Sequence, residues 1–167
     1  MNDPGHDHIE EPESEETRKE RVNRELGELL QGLRVAVTGV QVLFAFLLTL
    51  PFAAGFHKLD DGGRWLFFIA LLSAALASVL FITPAAQHRL LFRTPLKEKM
   101  LHRANTLGIA GAVGLAVAMT SSVALVAETV INAWPAALFG GAVALSSAWF
   151  WILQPILDLH RTKDVTS

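Results

Sequence analysis

The chain has 167 residues, 51% of them hydrophobic and 18% charged, with a net charge of −2 and no cysteine. Without cysteine there are no disulfides, no thiol catalysis and no thiolate metal site, and the charge balance gives no general attraction to nucleic acid. The charges are bunched: residues 35–57, 65–88, 104–127 and 129–157 contain no Asp, Glu, Lys or Arg.

A bilayer core about 30 Å thick takes roughly 20 apolar helical residues, and each window supplies them. A soluble core helix has no reason to be apolar on every face four times over. The expected fold is all-α, an integral membrane bundle of four transmembrane helices near 35–56, 65–83, 106–127 and 135–157. No cleavable signal peptide is expected, because the first apolar run starts at residue 35 and is too long for a signal core.

Residues 1–16 hold seven acids, no Lys or Arg and almost nothing apolar, a composition that predicts disorder. His6 and His8 have no preorganised partners there, so solvation is the expectation rather than metal binding. Thr17 and Glu20 have capping-box spacing and mark a helix start. Val22, Leu26, Leu29, Leu30 and Leu33 then form an apolar stripe at helical spacing. Two readings of this segment stand. The helix lies on the inner leaflet and bends near Gly32, or it runs straight into span 1 and packs on a partner.

In span 1, Pro51 falls in the last turns, and Gln41 is the one amide in the apolar run. Ser and Thr hydroxyls satisfy themselves on their own helix carbonyls, whereas an unpaired amide in lipid is costly. Gln41 is therefore expected to point into the bundle, with Thr38 on the same face and Gly39 allowing another helix to come close. The loop HKLDDGGR is short and turn-rich, and its His57, Asp60 and Asp61 are expected to be solvated rather than to cage a cation.

Span 2 is expected to end at Pro84. Thr94 and Pro95 read as an N-cap and first helical residue, and Leu96, Met100, Ala104 and Leu107 carry one face from there into span 3. Trp134 and the pair Trp149 and Trp151 sit about 22–26 Å apart at the helical rise, which suits the two interfacial belts. Small residues recur at four-residue spacing as Ala70, Ala74 and Ser78, and as Ala136, Gly140, Ala144 and Ala148. Gly108, Gly111 and Gly114 add a third seam. Such seams pack helices within one bundle or between protomers.

Twelve Lys and Arg lie in the N-terminal segment, the 84–105 connection and the C-terminal tail, against two (Lys58 and Arg64) in the other connections. That asymmetry predicts both termini on the cytoplasmic side. No ionisable group lies inside any span, which argues against proton-coupled carriers and intramembrane proteases. His88 and His102 sit beside arginines on the cytoplasmic side and are expected to face lipid headgroups. No cofactor and no metal are expected.

The run ELLQGLRVAVTGVQVLFAFLLTLPFAAGF, followed by AAQHRLLFR, resembles an uncharacterised family of small four-span membrane proteins found in actinobacteria. The likeness covers roughly residues 20–160. It implies architecture and a bacterial plasma membrane but no chemistry, and it singles out Thr38, Gly39, Gln41, His88 and Arg89 for testing. A non-enzymatic scaffold or accessory subunit fits the missing catalytic groups and the seams, with the lipid bilayer and either a second copy or a larger membrane complex as partners. The alternative is an oligomeric small transporter or channel with a polar path near Gln41.

Overall fold

The computed structural model describes residues 18–90 and 97–158. The acidic tail, Thr17 of the capping box, and Thr94, Pro95 and Leu96 lie outside the described residues. Four helices follow one another: α1 (Arg18–Thr49), α2 (Asp61–Leu90), α3 (Lys97–Val130) and α4 (Ala133–Ala148). Each belongs to a helical segment long and apolar enough to cross a membrane: Asn23–Phe52, Asp61–Gln87, Leu101–Val130 and Ala133–Asp158.

The first helix decides between the two readings of its amphipathic start. α1 is one unbroken helix of 32 residues that runs through Gly32 into the apolar stretch. Leu26 is already buried, so the charged first half packs on the protein. Pro51 does not sit inside the span: the helix ends at Thr49, and Leu50–Phe52 form a single tight turn. There the missing N–H of proline costs nothing. Asp60 then caps α2, its Oδ1 accepting from the Gly63 N–H at 2.8 Å, and Arg64 pairs with Asp61 at 3.6 Å. The turn is pinned by Phe56, which meets the buried Phe67 edge-on at 5.0 Å between ring centres.

Pro84 was expected to end the second span, but α2 continues to Leu90 with Pro84 buried inside it. In lipid-spanning helices a proline is tolerated where neighbours and hydroxyls settle the freed backbone. Thr83 bonds the Val79 carbonyl at 2.7 Å in this turn. At the helical rise the 34 residues of α3 reach about 50 Å, well beyond a hydrocarbon core. α4 starts at Asn132, whose side chain caps the Ala133 N–H at 2.8 Å. Its end widens into a π-type turn over Trp149–Leu153, where the Gln154 N–H reaches the Trp149 carbonyl. Pro155, one residue on, has no N–H to give the carbonyl four residues back, and the wider turn absorbs that defect.

The core is made by α1, α2 and α3: Val40, Leu47, Phe67, Ala70, Ala74, Ala77, Phe81, Ala118 and Leu125. Its alanines and glycines set the spacing. A Cβ built on Gly114 would lie 3.3 Å from the Ala77 Cβ, and one on Gly111 would lie 2.6 Å from the Phe81 ring. The α2 and α3 seams therefore pack against each other inside the chain. α4 rests mainly on α3, with a close approach at Gly140, where an added Cβ would lie 3.1 Å from that of Ala124. The four helices make a three-helix core with a fourth on its flank, rather than a closed four-helix bundle.

Candidate functional site

α1 meets the core with Leu33, Ala36, Val37, Val40, Leu43, Phe44 and Leu47. Those positions repeat every three or four residues, so the remaining turn of the helix looks outward. Gln41 is one step of 100° from the fully buried Val40 and falls on that outer side. The expectation of an inward-facing amide is thus overturned for the single chain, because aliphatic side chains already fill the inner face. Arg34, Thr38, Gln41, Ala45 and Thr49 lie at successive spacings of three or four residues and are all exposed. Gly39, two residues from Gln41 and so on the far edge of the outer face, is also open: a Cβ there would meet nothing within 4 Å, so no helix of the same chain uses the approach that it offers.

The hydrogen bonding along the ridge is uneven. Thr38 donates to the Arg34 carbonyl at 3.1 Å and Thr49 to the Phe46 carbonyl at 2.7 Å, so both hydroxyls are satisfied within the helix. Among the described residues, nothing bonds the Gln41 amide. It carries two donors and two acceptor lone pairs on a face otherwise suited to lipid. Gln41, with Thr38 and Ala45 on the same ridge, forms a surface another membrane helix would complete.

Arg89 belongs to a different place. With Arg34 it rims a cleft of about 350 Å³ between α1 and α2, floored by Leu30, Leu33, Val37, Phe81 and Ile82. Two guanidinium groups above an apolar floor suit an anionic lipid headgroup with its chain below. His88 lies next to Arg89 on α2, and its side chain is outside the described residues. The five positions singled out from sequence hence divide: Thr38 and Gln41 share the α1 ridge, Gly39 lies on the far edge of the same outer face, and Arg89, with His88 beside it in the chain, shares a cleft with Arg34. Arg34 was missed as a site residue, although a lone arginine ending a charged stretch before an apolar run was the available signal.

Glu128 was also missed. Its Oε2 is enclosed and without a hydrogen-bond partner. A Cβ on Gly62 would lie 3.4 Å from Glu128 Oε1 and 3.6 Å from Asp60 Oδ1, so two carboxylates flank the start of α2. Being the one acid between the third and fourth uncharged windows was its signal in the sequence.

Comparison with known proteins adds one match. No curated protein and no solved structure matches the chain. A family model does, over residues 15–155, and takes in all four helices and both arginines of the cleft; the chain belongs to a family of unknown function, DUF6328.

Proposed function

We propose that this protein is a non-enzymatic scaffold or accessory subunit of a bacterial plasma membrane, which engages a partner helix through the outer ridge of α1. The observation that carries the reading is the Gln41 amide, unpaired and facing outward on the ridge it shares with Thr38 and Ala45. Lipid offers such an amide no partner, whereas a neighbouring transmembrane helix does. The lack of ionisable groups within the four expected spans, 35–56, 65–83, 106–127 and 135–157, supports a role without catalysis. The Lys and Arg asymmetry supports cytoplasmic termini. Reporter fusions at residues 60 and 131 are expected to read external, and those at 95 and 167 internal; a swap at any one of them breaks this topology.

The absence of cysteine makes the ridge easy to test, since a single introduced thiol is the only one present. Thr38→Cys and Ala45→Cys in native membranes are expected to give one discrete higher-mass adduct with a thiol cross-linker. Leu72→Cys, on an exposed part of α2, is expected to give none. Adding Gln41→Leu should reduce the adduct several-fold, because interhelical hydrogen bonds in membranes average about 0.6 kcal/mol and reach roughly 1.7. Equal cross-linking at the ridge and at Leu72 would remove the scaffold reading. A solute or ion flux abolished by Gln41→Leu with the adduct intact would replace it with the conduit reading.

A further inference from the structure

We propose that the groove between α3 and α4 is a binding site for a lipophilic carbonyl compound, held by the hydroxyls of Ser121 and Ser147. The groove encloses about 310 Å³, a size in the range of small-ligand pockets. It exists because the α4 seam is used by halves. Ala136 and Gly140 pack on α3, whereas Ala144 and Ala148 are exposed and line the open part. Val113 and Val117 form the α3 wall, and Trp151 and Ile152 of the π-type turn lie at the far end.

The polar groups single this groove out from an ordinary lipid-filled crevice. Several hydroxyls in these helices bond back to their own backbone, Ser78 to Ala74, Ser122 to Ala118, Thr83 to Val79 and Thr106 to His102, all at 2.7–3.0 Å, and Ser73, Thr120 and Ser146, which do not, are less buried than Ser121 and Ser147. Ser121 and Ser147 line the groove from facing helices and make no hydrogen bond within the described chain. Both side chains are more than nine-tenths buried, at 6% and 9% exposure. Yet neither oxygen is sealed in protein, since the fully enclosed unpaired side-chain atom among the described residues is Glu128 Oε2. Two buried hydroxyls with unspent donors, opening into an apolar slot, define what completes them. A hydroxyl has one donor and a carbonyl oxygen has two lone pairs, so a single carbonyl accepts from both serines. The walls require that the rest of the molecule be apolar.

Benzophenone is a suitable probe, being a carbonyl flanked by two rings that cross-links on irradiation. The full chain in phospholipid nanodiscs is irradiated with it and the adducts are mapped by peptide mass spectrometry. We expect adducts concentrated in 109–121 and 144–152. In Ser121→Ala/Ser147→Ala they should fall about fivefold or more, the loss of two modest hydrogen bonds in a membrane. The melting temperature should be unchanged, because neither hydroxyl holds the fold. Ala144→Phe, at an exposed position that fills the slot, should abolish the local adducts with the fold intact. Equimolar diphenylmethane, the same shape without the carbonyl, should leave most of the labelling in place. Labelling spread evenly over all four helices would overturn the proposal. So would wild-type labelling of the double alanine or Ala144→Phe variants, or a halving of the labelling by equimolar diphenylmethane, which would mark the groove as a seat for acyl chains alone.

Discussion

Glu128 ends α3 in an awkward setting, with one carboxylate oxygen enclosed and unbonded and a second carboxylate, that of Asp60, across Gly62. A buried acceptor left without a donor costs about 1–3 kcal/mol. Glu128→Gln removes the charge and turns one of the two positions into a donor beside Asp60. We expect it to raise the melting temperature in detergent by roughly 2–4 °C, the shift that about 1 kcal/mol produces in a chain of this size. A fall instead would mean that the carboxylate is engaged with something the single chain does not contain. Gln41 is the opposite kind of exception, an amide whose surroundings are open rather than closed. Gln41→Leu should leave the melting temperature of the isolated chain unchanged or slightly raised, while the ridge adduct falls several-fold. Thermal melting of monomer fractions beside cross-linking of membranes reads the two effects separately.

Helix contacts in this protein are set by what is missing from side chains. Where α3 crosses α2, Gly111 leaves just enough room for the Phe81 ring, and a methyl group there would sit 2.6 Å from it. Gly111→Ala should therefore destabilise by about 1–3 kcal/mol, the usual cost of overpacking. Phe81→Leu should recover part of that loss in the double variant, a coupling that a double-mutant cycle in detergent measures. Gly39→Ala, with nothing within 4 Å, should be neutral in the monomer. The sequence shows both as glycines within apolar helices open to close approach and does not distinguish them. The reason is physical: in lipid the outer face of a helix is as apolar as the inner one, so no amphipathic pattern reveals which way a residue points. For the same cause Gln41 was expected inside. The existence of the helices depends on uninterrupted apolar length, a property of composition, and was legible. Pro84 misled because proline stops helices more reliably in water than inside a packed membrane helix.

At the scale of the molecule, the arrangement follows from which helices exchange small residues. α2 and α3 do so along their length, and α1 closes over them with Val40 and Leu47. The chain contains no native thiol, and the Cβ of Ala77 and that built on Gly114 lie 3.3 Å apart. Ala77→Cys/Gly114→Cys should thus close a disulfide on mild oxidation, because bridged cysteines place their Cβ atoms about 3.5–4.5 Å apart. A chain truncated after Ile131 should form the same bridge, since α4 adds little to that contact. Failure of the bridge in the truncated chain alone would show that α4 braces the core from outside. None of this lateral order could be read from the four windows, which look alike in composition.

The flanking position of α4 also carries a meaning for biogenesis. A ribosome delivers α1, α2 and α3 first, and those three already possess a complete set of mutual partners. The last helix arrives after these contacts and docks along α3, with Gly140 close to Ala124. Assembly of this chain is therefore expected to be divisible in time: a trio with its own contacts, then a latecomer whose loss or delay leaves the earlier contacts standing.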